Sequence, residues 1–191
     1  MNKSRLEAFS DGVLAIIITI MVLELQVPHG TAGWDALRPL LPRFLSYLLS
    51  FVYLGIYWNN HHHLFQVARH VDGVVLWANL HLLFWLSLFP FVTGWIGENP
   101  ISTATTAAYG SILLMAALAY FLLVRALLHR HGKDSDLSRA IGRDFKGVVS
   151  VVLYVMGIAC AFVWPVISIL IYVGVGAMWM IPDRRMERVL S

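Results

Sequence analysis

Charge is scarce in this chain. Of its 191 residues only 13% are Asp, Glu, Lys or Arg, about half the ~25% usual in soluble globular domains. Cysteine is nearly missing: Cys160 stands alone inside an apolar run, which excludes an intrachain disulfide and a thiolate metal cluster and leaves it as a plain buried apolar residue. Internal repeats and low-complexity tracts are absent, and the tetrapeptide FSDG occurs once.

What is present in excess is hydrophobic surface. Apolar residues make up 59% of the chain and the mean hydropathy is +0.71. A single small domain cannot enclose that much apolar material in one core, so the solvent for most of this protein must be lipid. A spanning helix needs ~20 apolar residues. Six stretches qualify: 9–27, 43–65, 73–95, 104–128, 147–163 and 165–181. They define one all-α membrane domain over residues 1–191 and leave no length for a soluble catalytic domain. The first run carries Asp11 at its entrance and has no small-x-small site before Gln26 and Val27, so it reads as a retained helix, not a cleaved signal.

The basic residues set the expected orientation. With the N-terminus in the cytoplasm, Arg38 and Arg43 fall outside and the other twelve of fourteen Lys and Arg fall inside, the positive-inside pattern of a chain with both termini cytoplasmic. The net charge of +3 therefore reports topology and gives no motive for nucleic-acid binding. Connections are short. Segment 28–42 holds Pro28, Gly30, Gly33, Pro39 and Pro42 and reads as an outer turn with a short surface helix. Segment 66–72 is an inner turn, 96–103 an outer loop, and 129–143 a solvated inner loop of mixed charge. Only Trp164 lies between the last two spans, with Pro165 opening the second, which requires a tight outer hairpin. Trp34, Trp95, Trp164 and Trp179 fall near interfaces, as belt residues do.

Polar residues within the spans are the informative ones, because an ionised side chain at mid-membrane costs at least ~2.5–3.5 kcal/mol on insertion scales. They gather at the inner ends of the first three spans: Arg5, Ser10 and Asp11; Trp58, Asn59, Asn60, His61, His62 and His63; Asn79 and His81. The alternating helix directions put all three groups at one depth. An interhelical hydrogen-bond network is one account, and ordinary interfacial polarity is the other. A metal site is disfavoured, since consecutive helical residues lie ~100° apart and only i, i+3 or i, i+4 pairs share a face. No metal and no cofactor is expected.

On the first span, Gly12, Ile16, Thr19, Ile20 and Leu23 keep to one helical face between Asp11 and Glu24. Several copies turning this face to a common axis would form a pore with an apolar waist that closes by dewetting. Lipid-facing or bundle packing accounts for the same spacing, and a Thr in a spanning helix often bonds its own backbone.

Arg5-Leu6-Glu7-Ala8-Phe9-Ser10-Asp11 matches the R-x-x-x-F-S-D pattern of the transmembrane protein 175 family of potassium channels, and the chain resembles its prokaryotic branch. Trp58-x-x-His61-x-x-Leu64-Phe65 is similar to the family's second-helix pattern, and Asn79 followed by Pro90 resembles its third helix. The resemblance implies a cation channel, not an enzyme, in a prokaryotic plasma membrane, in which helix 1 of four identical subunits lines the pore. It further implies that Ile16 forms the hydrophobic constriction with Ile20 and Leu23 as further apolar layers, and that Thr19 bears on selectivity. Arg5, Ser10, Asp11, Trp58, His61 and Asn79 would form a network holding the pore helix, with potassium and other monovalent cations permeant. Two other classes stay open at this point: a proton-coupled transporter using Asp11 and the histidines as a relay, and a membrane enzyme with histidine-bound metal.

Overall fold

In a computed structural model the chain is described over residues 2–28, 33–68, 70–132 and 145–181, and every regular element there is helical. The elements are α1 (Lys3–Leu23), a 3-10 helix (Trp34–Leu40) running straight into α2 (Leu41–Val67), α3 (Gly73–Ser87), α4 (Phe89–Glu98), α5 (Thr103–His131), α6 (Phe145–Ala161) and α7 (Pro165–Met180). Four helical stretches, with α3 and α4 taken as one, are long and apolar enough to cross a membrane, and α6 and α7 are shorter apolar helices. At 1.5 Å per residue the last two reach about 26 and 24 Å, a little short of a ~30 Å hydrocarbon core.

The first helix begins six residues before the apolar run, because Asn2 caps it: the Asn2 side chain accepts from the Ser4 amide at 3.1 Å. The R-x-x-x-F-S-D segment is therefore helical throughout. α1 ends at Leu23 with Glu24 as its C-cap, so Leu25, Gln26 and Val27, expected inside the span, lie beyond it.

The third span, expected unbroken over 73–95, is two helices meeting at Leu88. Pro90 is the cause. It has no N–H for the Leu86 carbonyl, and its ring conflicts with that carbonyl. The Leu88 amide turns back to the Trp85 oxygen at 3.3 Å, and Val92 resumes the ladder on the Leu88 oxygen at 3.2 Å. The hairpin at 162–164 is as tight as expected, with Trp164 and Val163 both donating to the Cys160 oxygen (2.7 and 3.0 Å) and Pro165 opening α7. The expected inner loop at 129–143 begins later than read: His129–His131 complete α5, and 133–144 lies outside the described residues.

Contacts between helix ends define two levels. At one end the Arg43 guanidinium pairs with Glu98 at 3.2 Å and reaches Gln26 at 3.4 Å, bringing together the start of α2, the end of α4 and the segment after α1. At the other, Asp72 pairs with Arg130 at 3.7 Å, and Lys146 donates to the Ile181 carbonyl at 2.8 Å. We call the latter the basic end.

α1 packs on α2, α3 and α4. α5 is the central post against which α3, α4, α6 and α7 lean. Small residues allow the closest approaches: Ala116 and Ala119 of α5 are buried, and any Cβ on Gly110 or Gly157 would run into the Tyr172 ring. Four buried tyrosines, Tyr53, Tyr109, Tyr154 and Tyr172, form a cluster with Phe89, with ring centroids between 6.1 and 6.5 Å apart. Three of their hydroxyls bond within the bundle: Tyr53 donates to the Tyr172 carbonyl at 2.6 Å, Tyr172 to the Thr106 carbonyl at 3.4 Å, and Tyr109 shares a bond with Ser50 at 2.9 Å.

Candidate functional site

α1 has two faces. Leu6, Ser10, Leu14, Ile17 and Met21 are buried against the rest of the chain. Gly12, Ile16, Thr19, Ile20 and Leu23 are all exposed, lying within about 100° of arc. Exposure separates the two faces sharply: Ile16 is 58%, Ile20 44% and Leu23 76% accessible, against 2% for Leu14, 4% for Ile17 and none for Met21. The five residues singled out by spacing thus share one uncovered strip. Ile16, Ile20 and Leu23 follow one another over about 10 Å of helix axis.

Thr19, in the middle of the strip, donates its hydroxyl proton to the Ile16 carbonyl at 2.9 Å. With the proton spent on the backbone, the side chain offers only oxygen lone pairs to whatever stands before it.

Behind the strip, near the basic end, the polar residues of three helices meet. The Asn79 amide on α3 donates to Ser10 Oγ on α1 at 2.9 Å, and Ser10 passes its own proton to the Leu6 carbonyl at 2.9 Å. Asn79 Oδ1 is 2.8 Å from His61 Nε2 on α2, which acts as the donor in the tautomer this contact requires. All three side chains are buried, with Ser10 and Asn79 fully enclosed. One turn away, and on the exposed side, Trp58 Nε1 donates to Asp11 Oδ1 at 3.0 Å. The chain therefore ties α1 to α2 through Asp11 and to both α2 and α3 through Ser10.

Arg5 is not part of this assembly. Its side chain is exposed, and it makes no hydrogen bond or ion pair among the described residues. Arg5 sits a turn and a half before Asp11 on the same helix, about 120° away in azimuth, so the two side chains leave the helix on different sides.

The neighbouring histidines go separate ways. His62 stacks on Trp58 (centroids 5.9 Å apart, 16° between planes) and contacts Gln66 at 2.9 Å. His81 accepts from Trp85 Nε1 at 2.9 Å. His63 buries Nδ1 without a partner among the described residues. No three His, Cys, Asp or Glu side chains among the described residues converge as metal ligands.

A second buried polar group escaped the sequence reading. Ser50 on α2, Thr93 on α4 and Tyr109 on α5 are linked at 2.6 and 2.9 Å, and Thr93 also leans on Met21 Sδ of α1 at 3.7 Å. Hydroxyl residues are too common in spanning helices to have marked it. The signal available was position: each lies on its helix toward the end opposite His61.

Comparison with known proteins agrees with this geometry. The profile described as "Endosomal/lysosomal potassium channel TMEM175" matches residues 5–90, the segment that holds most of α1, all of α2 and α3, and the polar belt. A Chryseobacterium protein named a potassium channel is 55% identical over 191 residues, covering 100% of this chain and 99% of that one. The chain belongs to the TMEM175 family.

Its full-length match to a bacterial relative places it in the prokaryotic branch. The chicken protein named "Endosomal/lysosomal proton channel TMEM175" is 40% identical over 163 residues, 75% of this chain but 32% of that one. The crystal structure of a lysosomal potassium-selective channel TMEM175 homolog from Chamaesiphon minutus superposes with a TM-score of 0.80 at 29% identity, covering 93% of this chain and 96% of that one. The TMEM175 match to residues 5–90 ends at Pro90, so the family pattern runs from Arg5 through the break between α3 and α4. These relatives are ion channels, not enzymes.

Proposed function

We propose that this protein is a potassium-preferring cation channel in a prokaryotic plasma membrane. Four copies assemble with the exposed strip of α1 facing a shared axis, all six helical rods cross the bilayer, and both termini lie in the cytoplasm. One lining helix per chain encloses a pore only through closed cyclic symmetry. The observation that carries the reading is the uncovered face of α1. Large apolar side chains stand on it next to a back-bonded threonine, while the opposite face is locked into the bundle.

In this arrangement Ile16 is the narrowest ring, with Ile20 and Leu23 as further apolar layers. An ion cannot shed its hydration shell against isoleucine, so the waist conducts when it is wide enough to stay wet and closes by dewetting. Thr19 sets an acceptor oxygen between these layers, the one polar contact a dehydrating monovalent cation meets there. The belt of Ser10, Asp11, Trp58, His61 and Asn79 holds the lining helix at its angle. Conduction is passive and uses no cofactor.

The decisive experiment is flux into reconstituted vesicles. Ile16→Asn wets the waist and raises potassium flux above the parent protein. Absence of cation flux with either residue at position 16 would sink the channel reading. A proton-coupled transporter using Asp11 and the histidines as a relay is the second reading, motivated by the titratable groups gathered at the belt. It predicts flux that needs a proton gradient and stops in Asp11→Asn. Against it, Asp11 is bound by an indole and His61 by an amide, neither of which passes a proton on.

A further inference from the structure

On the side of the bundle away from α1, a cavity of about 270 Å³ opens among α2, α5, α6 and α7. Its walls are largely apolar, and its outer rim is made by Phe121 of α5 and by Val148 and Val152 of α6, all three exposed. Apolar cavities of ~150 Å³ already take up a hydrocarbon guest. This one belongs to a membrane chain and opens on a face that α1 does not reach, which the arrangement proposed above leaves to the bilayer.

Two cations stand beside the cavity wall, each against a lining ring, and one hydroxyl lies in the wall. The guanidinium of Arg125 lies 5.2 Å from the centre of the Phe121 ring and has no carboxylate or hydrogen-bond acceptor among the described residues. The ammonium of Lys146 lies 5.8 Å from the centre of the Trp179 ring, which also lines the cavity. Tyr57, 9% exposed, lines it too, and its hydroxyl has no hydrogen-bond partner among the described residues. Both cations stand at the basic end of their helices, each over an aromatic residue of the cavity wall.

An apolar slot beside two cations, with a hydroxyl donor in its wall, is complementary to one kind of molecule. We propose that the cavity seats one acyl chain of an anionic phospholipid from the leaflet at the basic end, with its phosphate held by Arg125 and Lys146. Arg125 supplies the stronger hold, since a guanidinium presents paired donors to phosphate oxygens whereas Lys146 already spends a donor on the Ile181 carbonyl. Tyr57 offers its proton to an ester carbonyl of the same lipid.

The test is native mass spectrometry of the full chain released from detergent containing phosphatidylglycerol or phosphatidylcholine with the same acyl chains. Phosphatidylglycerol adducts are expected to persist and phosphatidylcholine adducts to be lost. Arg125→Gln should weaken phosphatidylglycerol retention about tenfold, the loss of roughly one charge-assisted contact, and Arg125→Lys should restore part of it. Ala117→Phe fills the cavity and should abolish retention. If that variant does not fold, Val152→Trp at the rim blocks the same opening. Equal retention of the two lipids, or phosphatidylglycerol retention unchanged in Arg125→Gln and in the cavity-blocking variant, would overturn the assignment. So would oleate adducts without phosphatidylglycerol adducts. None of these outcomes depends on ion conduction.

Discussion

Asn79→Ala probes the joint on which the placement of α1 depends. The Asn79 side chain is fully enclosed and serves two partners at once, donating to Ser10 and accepting from His61. Truncation removes both bonds. On the Ser10 side the loss is small, because Ser10 keeps its bond to the Leu6 carbonyl. There the cost is one net hydrogen bond, about 1 kcal/mol in soluble proteins and ~0.6 kcal/mol on average between membrane helices. The His61 side costs more. That imidazole is 3% exposed, and its Nε2 loses its only described partner, a penalty of about 1–3 kcal/mol for a buried polar group left unsatisfied.

The sum is roughly 2–4 kcal/mol, and it should appear as a lower midpoint when the protein is unfolded by increasing sodium dodecyl sulfate in mixed micelles. A double-mutant cycle with Ser10→Ala should return a coupling of about 0.6–1.7 kcal/mol. The His61→Leu/Asn79→Leu pair should recover part of the loss, since removing both partners leaves nothing unsatisfied. If Asn79→Ala and Ser10→Ala add to within ~0.3 kcal/mol, and Asn79→Ala alone costs under ~0.5 kcal/mol, the belt does not hold α1 and its polarity needs another account.

Three further substitutions test the packing and the exposed half of the belt. Gly110→Ala should destabilise the bundle by about 1–3 kcal/mol, because the new methyl group meets Tyr172, whereas Gly174→Ala, with open space around it, should be neutral or stabilising by up to ~1 kcal/mol through helix propensity. Trp58→Phe keeps the ring stacked on His62 but deletes the donor to Asp11; the expected result is ion flux altered in vesicles with a melting midpoint near that of the parent. An unfolded protein would instead make Trp58 a packing residue and nothing more.

Much of this architecture is legible in the residue order, and the parts that are not have physical reasons. Hydropathy marks apolar runs, so the four long apolar stretches and the two shorter apolar helices among the described residues fall on the six runs. It says nothing of how a helix starts in water, which is why α1 begins at Lys3 on the Asn2 cap and not at Phe9. Pro90 is visible in the sequence, yet whether a proline bends a spanning helix or divides it depends on what satisfies the freed carbonyls. Here the Leu88 amide turns back onto both the Leu86 and the Trp85 oxygens. The depth argument brought Ser10, His61 and Asn79 to one level because a helix rises a fixed distance per residue. It could not separate Arg5 from them, since a shared level does not imply a shared azimuth. The tyrosine cluster was beyond reach for a similar reason: Tyr53, Tyr109, Tyr154 and Tyr172 come from four helices, and only the glycines opposite them show that the rings converge.

Apolar residues serve opposite ends on the two faces of α1, and local composition does not distinguish them. Leu14 and Ile17 are enclosed, while Ile16 and Ile20, one or a few positions away, are open. The difference comes from Ser10 and Asp11. Hydrogen bonds from Asn79 and Trp58 fix the rotation of the helix about its own axis, and with 100° between successive residues a slip of one position would exchange Ile17 for Ile16 on the open side. Van der Waals packing of interchangeable Ile and Leu against the bundle tolerates such a slip far better than two directional bonds do. Polar contacts near the basic end thus determine which apolar side chains stand at mid-helix. A substitution in the belt should therefore change conduction even where it leaves the strip itself untouched.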